Sequence, residues 1–144
     1  MAFASHGNEN WPVVMQRVRQ EAGEESPVLL VGGFIESKSF AVIHDPKLRE
    51  VLFAPELKYG EPKRAIHIPI SMSREDMGEF ERIADQLRGE KKFFLVTENF
   101  DRSYEMWLLG KLGSNWRAEE VSGPFGGVLV LRFVRAGSGG EGGY

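Results

Sequence analysis

Residues 27–33 read PVLLVGG, a continuous apolar run between turn-forming residues. Strands that are covered on both faces carry such uninterrupted apolar sequences, because neither face meets water. The run therefore predicts the central, buried strand of a sheet. A helix is predicted before it, because Trp11, Val14, Met15 and Val18 recur at helical spacing, with Asn10 as its cap and Gly23 as its stop.

Strand and helix patterns alternate after this run. Strands are predicted at 64–70, where Pro69 places the end at a sheet margin, and at 92–97, with a possible short strand at 40–43. Three helices are predicted between and after them: one that Asp45 and Pro46 start and Pro55 ends, one from Ser73 to Gly89, and one capped by Asp101 or Ser103 before Gly113.

The end of the sequence changes pattern. Strands at 116–121 and 128–134 flank a Gly/Pro-rich link, which is typical of an antiparallel hairpin. Together the patterns predict an α/β fold, namely a three-layer, Rossmann-like mixed sheet of mostly parallel strands that closes with this C-terminal hairpin. One domain is expected at 10–135, between a disordered leader at 1–9 and a disordered Gly-rich tail at 136–144.

Composition excludes several classes of function. The 144 residues hold 18 basic and 21 acidic side chains without a dense basic block, so no nucleic-acid partner is expected. Cysteine is absent, and the three histidines lie far apart in sequence, so no metal site and no cofactor is predicted. No apolar run reaches the roughly 18 residues of a membrane span. Motifs for a serine nucleophile, a P-loop or a dinucleotide site are also missing, and no catalytic residue is assigned.

Polar residues follow three of the predicted strands. Ligands of open α/β sheets bind in the crevice beyond the carboxyl ends of the parallel strands. Candidate ligand-binding residues at that crevice are Glu36, Ser71, Glu98, Asp101 and Arg102. The carboxylates suit acid/base chemistry if they converge, whereas solvated loop charges and helix caps are the alternative interpretation.

Other residues allow two interpretations each. His67 lies mid-strand among apolar neighbours, where a hydrogen-bonded core or edge histidine is expected rather than a ligand. Lys58, Tyr59, Lys63 and Arg64 form a modest basic patch that either meets a phosphate or is a solvated loop. The many aromatic side chains either fill the core or form a docking face.

Four segments carry a resemblance to a known family: NENWPVVMQRVRQEAGEESPVLLVGGFIES at 8–37, DPKLREVLFAPELKY at 45–59, ENFDRSYEMWLLGKLG at 98–113 and GGVLVLRFVR at 126–135. In this order they resemble the soluble C-terminal domain of GT-C membrane glycosyltransferases. These polytopic enzymes use polyprenyl-phosphate sugars and are similar to dolichyl-phosphate-mannose protein mannosyltransferases and the aminoarabinose lipid A transferases. The likeness covers Asn10 to Arg135.

The resemblance implies a cellular location for the domain but no catalytic activity of the domain itself. The family's catalytic acidic residue lies on an extracytoplasmic loop of the membrane portion, so no catalytic residue transfers to this chain. The resemblance implies a non-catalytic accessory domain on the extracytoplasmic, periplasmic side, with the membrane-embedded glycosyltransferase portion as its partner. The alternative is a free-standing α/β enzyme or small-ligand-binding domain that uses the strand-end crevice.

Overall fold

The computed structural model describes residues 10–32, 38–97 and 102–136, so the predicted leader and nearly all of the predicted tail lie outside the described residues. The described part is an α/β fold around one five-stranded open sheet. Its strands are β1 (Val28–Val31), β2 (Ala65–Ile68), β3 (Lys92–Thr97), β4 (Trp116–Glu120) and β5 (Leu129–Arg135). Its helices are α1 (Trp11–Ala22), α2 (Phe40–Ile43), α3 (Pro46–Leu52), α4 (Ala54–Tyr59), α5 (Met77–Arg88) and α6 (Ser103–Leu112).

The strands lie in the order β2-β1-β3-β5-β4. β1 pairs in parallel with β2 and β3, whereas β5 pairs antiparallel with β3 and β4. The predicted mixed sheet and C-terminal antiparallel pair are confirmed, but parallel and antiparallel pairings are equal in number, so parallel pairing does not predominate. The predicted centre is also corrected: β1 is an interior strand, and β3 occupies the middle.

The buried side chains of β1 divide between two hydrophobic clusters. Val28 and Leu30 join the cluster that α1 covers, while Leu29 and Val31 join the cluster that α5 and α6 cover. All four residues are buried, as the uninterrupted apolar run predicted. Helices thus contribute to the clusters on both faces of the sheet.

Two helix ends follow the predicted glycines. Gly23 and Gly113 terminate α1 and α6 with φ of 61° and 98°. Residues other than glycine rarely adopt this backbone conformation, because their Cβ atom approaches the following carbonyl oxygen. The Pro46 start of α3 is confirmed as well, since the Asp45 carboxylate accepts from the backbone N–H groups of Lys47 and Leu48 at 3.0 and 3.4 Å.

The possible strand at 40–43 is wrong, because these residues form the helix α2. The Ser39 hydroxyl caps its start by accepting from the Val42 backbone N–H at 3.3 Å. Phe40 and Ile43, one helical turn apart, are both buried. β-branched residues favoured a strand, and the cap together with this burial outweighs that preference.

Pro55 does not end a helix but lies in the first turn of α4, where its missing N–H leaves no partner unsatisfied. α3 instead ends at Leu52, ahead of the buried Phe53. The Leu57 N–H bonds to the Phe53 carbonyl, and the Phe53 N–H bonds to the Arg49 carbonyl, so the backbone ladder runs from α3 into α4.

Three residues predicted to cap helices do not cap them through their side chains. Ser73 precedes a 3₁₀ turn (Arg74–Asp76) and donates its hydroxyl to the Asp76 carboxylate, and α5 begins only at Met77. Ser103 is the first residue of α6 rather than its cap. The Asn10 side chain donates to the Pro124 carbonyl at 2.9 Å, which ties the start of α1 to the link between β4 and β5.

Candidate functional site

The predicted strand-end crevice lies mainly outside the described residues. Glu36 follows β1, and Glu98 and Asp101 follow β3, and none of the three is among residues 10–32, 38–97 and 102–136. The sheet nevertheless places the carboxyl ends of β1 and β3 side by side, because these strands pair in parallel. β2 lies on one side of β1 and β3 on the other, so the order in which the chain adds strands reverses between β1 and β3. Open α/β sheets bind ligands at such a position.

Ser71 and Arg102 are the two candidates that the structure describes. Ser71 is exposed and lines a cavity of about 190 Å³ together with Ser103 and Tyr104. Arg102 is exposed and forms ion pairs with Glu105 at 2.7 Å and Glu120 at 3.2 Å. The hydrogen bond to Glu105 raises the pKa of Arg102 above its usual value.

The two candidates therefore have different surroundings. Ser71 lies at the rim of a small cavity, and the Arg102 guanidinium is engaged by carboxylates of α6 and β4. Arg102 is thus a surface charge held by neighbouring surface charges. In the part of the chain that the structure describes, no group of three or more His, Asp or Glu residues is placed to hold a metal ion.

A second surface feature lies on α3 and α4. Leu48, Val51, Ala54 and Leu57 are exposed at intervals of three residues, and we call them the outer row. Val51 is 67% exposed. Residues three apart are neighbours on a helix surface, so Leu48 adjoins Val51 on α3 and Ala54 adjoins Leu57 on α4. The opposite side of the same segment is buried through Leu52 and Phe53.

The outer row holds most of the exposed large apolar side chains in the described residues. Leu48, Val51 and Leu57 belong to it, Tyr59 adjoins it, and Met106 on α6 lies elsewhere. Lys58 stands 5.4 Å from the centre of the Tyr59 ring, a cation–π contact. Arg64, another member of the predicted basic patch, forms an ion pair with Glu90 at 2.8 Å.

A third feature is a groove of about 290 Å³ along β2, the edge strand of the sheet. It is lined by residues of α2, α3, β2 and α5 and by His44, which follows α2. The polar side chains that line this β2-edge groove are His44, Arg49, His67, Glu79 and Gln86.

Carboxylates hold both imidazoles of the groove. His44 Nε2 lies 2.7 Å from Glu79 Oε2, and His67 Nε2 lies 2.7 Å from Glu61 Oε2. The His67 ring also packs edge-on against Phe53, with centroids 4.4 Å apart. The prediction of a hydrogen-bonded edge histidine is thereby confirmed for His67.

Comparison with known proteins adds no assignment. No family model matches the chain, and no curated protein matches it. The site must therefore be interpreted from its own geometry.

Sequence reasoning did not assemble the β2-edge groove. His44 follows α2, while Arg49, His67 and Glu79 lie on α3, β2 and α5, and no motif spacing connects the four residues. The one available signal was the pair of histidines, which their distance in sequence made uninformative.

The aromatic side chains mostly fill the core. Trp11, Phe53, Trp116 and Phe125 are buried, so the core-filling interpretation holds for them. The exposed apolar surface is aliphatic apart from Tyr59, and a broad aromatic docking face is absent from the described residues. In the same residues, no helix is both long enough and apolar enough to cross a membrane.

Proposed function

We propose that this chain is the accessory domain of a membrane glycosyltransferase-like protein, where it supports the membrane portion or positions the acceptor without performing the transfer. The outer row of α3 and α4 carries the proposal. Several exposed apolar side chains grouped on one segment are typical of a docking site.

The position of the outer row in the sequence supports the same partner. It lies within DPKLREVLFAPELKY, one of the segments that resemble the soluble domain of GT-C glycosyltransferases. Under this proposal the outer row packs on the membrane portion, the domain lies on the extracytoplasmic side, and catalysis belongs to an acidic residue of that portion. A Rossmann-like three-layer arrangement is part of the proposal, supported by the hydrophobic clusters on both faces of the sheet.

The complete reading frame that encodes residues 10–135 provides the first test. It should contain on the order of ten apolar segments of about 20 residues each, the length that spans a bilayer. A complete frame without such segments would refute the proposal.

The second test uses the complete protein in its membrane. Val51→Asp with Leu57→Asp should reduce sugar transfer from a polyprenyl-phosphate donor by about tenfold or more, because buried carboxylates would face the apolar contact. Met106→Asp is the matched control, since Met106 is 72% exposed but lies on α6. Equal activity of the double variant and the control would show that the outer row is not the contact surface.

One observation favours the alternative, a free-standing enzyme or ligand-binding domain. The reversal of strand order at β1 and β3 creates the crevice that α/β enzymes use. That function predicts that Ser71→Ala weakens ligand binding at the crevice while the outer-row variants leave it unchanged.

A further inference from the structure

The β2-edge groove contains a partly buried cation without a protein partner. Arg49 lines the groove, and among the described residues no carboxylate or carbonyl engages its guanidinium. The other partly buried arginines are satisfied: Arg17 by Glu21, Arg19 by two carbonyls, Arg64 by Glu90, Arg132 by two glutamates and Arg135 by the Arg88 carbonyl. Arg49 thus differs from arginines in similar surroundings.

The other polar groups of the groove are mainly hydrogen-bond donors or can become donors. The Gln86 amide and the imidazoles of His44 and His67 join Arg49 there. The Nε2–H groups donate to Glu61 and Glu79, so each Nδ1 is an acceptor in the neutral ring and donates to an oxyanion only when the ring carries both protons. Glu79 is the one carboxylate that lines the groove, and His44 already engages it.

A planar guanidinium among such donors suits an oxyanion. Arginine pairs with phosphate and carboxylate through two parallel N–H bonds, which gives orientation as well as attraction. Ile43 and Ile83 supply apolar walls, against which the carbon atoms of a small ligand would pack. The volume of about 290 Å³ is at the small end of the range for ligand pockets, which restricts the ligand to a few carbon atoms around the anionic group.

We propose that the β2-edge groove binds a small molecule through a phosphate or carboxylate group, and that Arg49 contacts its anionic oxygens. This binding site is separate from the strand-end crevice and does not depend on the proposed docking of the outer row. The oxyanion belongs either to a soluble molecule such as a sugar phosphate or to the phosphate of a lipid.

Titration of the chain followed by NMR tests this proposal, with inorganic phosphate, a hexose 1-phosphate and acetate as soluble probes. The imidazole signals of His44 and His67 and the guanidinium signal of Arg49 should shift together and saturate at or below about 10 mM probe, an affinity typical of single oxyanion contacts. Small vesicles that contain phosphatidic acid provide the lipid arm. A shift with the vesicles alone assigns the oxyanion to lipid, and a shift with the hexose phosphate assigns it to a soluble ligand.

Two substitutions of Arg49, compared with a control that removes the same charge elsewhere, decide the role of Arg49. Arg49→Met should weaken the affinity for the probe by about tenfold or more. Arg49→Lys should give an intermediate loss, because lysine keeps the positive charge but lacks the two parallel N–H donors of the planar guanidinium. Arg74→Met is the matched control, because Arg74 is exposed and does not line the groove. Both methionine variants should fold like the parent chain, since neither removes a side-chain hydrogen bond or ion pair within the described residues.

The opposite charge change should act in the opposite direction. Glu79→Gln removes the carboxylate of the groove and should strengthen binding of inorganic phosphate about threefold or more. Absence of binding by every probe up to about 50 mM, or equal affinities of Arg49→Met and Arg74→Met, would overturn the proposal.

Discussion

A row of five charges joins α1 to the β4–β5 hairpin, and its centre is Arg132. The Arg132 guanidinium reaches Glu21 at 3.0 Å and Glu119 at 3.0 Å. Arg17 holds the far side of Glu21, and Arg117 holds the far side of Glu119, each at 3.0 Å. Replacing Arg132 with methionine keeps much of its aliphatic stem and removes both central ion pairs.

The expected loss is modest because all five side chains are partly in water. Ion pairs in such positions contribute about 0.2 to 1 kcal/mol each, so the loss of two pairs in Arg132→Met should lower the free energy of unfolding by about 0.4 to 2 kcal/mol at pH 7. Arg82→Met provides the control, since the Arg82 side chain is 73% exposed and lies 3.9 Å from its carboxylate partner. Its effect should stay below about 0.5 kcal/mol.

The pH dependence of this loss follows from the two glutamates. Hydrogen bonds from Arg17 and from Arg117 are the largest causes that lower the pKa of Glu21 and of Glu119 below 4.5, and Arg132 adds to both. A folded-state pKa below the unfolded one stabilises the protein fully above pH 4.5 and ceases to do so as the pH falls through the folded-state pKa.

Urea unfolding of Arg132→Met and the parent chain, measured from pH 7 down to about pH 3.5, tests this reasoning. The difference in free energy of unfolding should shrink as the solution is acidified below pH 4.5. A constant difference across this range would mean that Arg132 acts through packing of its stem, and the electrostatic explanation would then be wrong.

Three other substitutions test single parts of the fold by urea unfolding. Phe133→Ala should lower the free energy of unfolding by about 3 to 5 kcal/mol, because Phe133 is fully buried and stacks on Phe93 with ring centroids 4.6 Å apart. A loss below about 1 kcal/mol would contradict this packing. Gly113→Ala should lower the free energy of unfolding by about 1 kcal/mol, because φ is 98° at this position. Gly110→Ala, within α6, should raise it slightly. Equal effects of the two substitutions would refute the backbone argument. Asp45→Ala should remove about 1 kcal/mol of capping energy and speed amide exchange at Lys47 and Leu48, and unchanged exchange would show that the cap is dispensable.

The parts of the fold that the sequence predicts correctly depend on long, locally consistent patterns. Residues 28–31 are buried on both faces because the apolar run leaves no polar side for water. α5 carries its apolar stripe over three turns, so its existence does not depend on the residue that caps it. Short elements fail instead: four residues at 40–43 cannot distinguish a helical turn from a strand.

The sites depend on contacts between distant parts of the chain, and local patterns do not contain that information. Arg49 and Glu79 meet in one groove only because β2 is the edge strand and α3 and α5 flank it. The outer row was visible in the sequence as apolar residues of a helix, but a core-facing stripe has the same spacing. Exposure separates the two, and exposure is a property of the packed fold.

The connection between β1 and β2 carries the outer row and part of the β2-edge groove. A parallel pair needs a crossover of about a dozen residues. Here residues 32–64 make that crossover, and they include three helices. Leu52 and Phe53 anchor the segment in the core, and this anchoring requires one side of it only. The outer row is exposed on the same segment, and His44 and Arg49 line the β2-edge groove. The added length therefore serves surfaces rather than the sheet, which makes 40–59 the segment to vary when the function of this domain is tested.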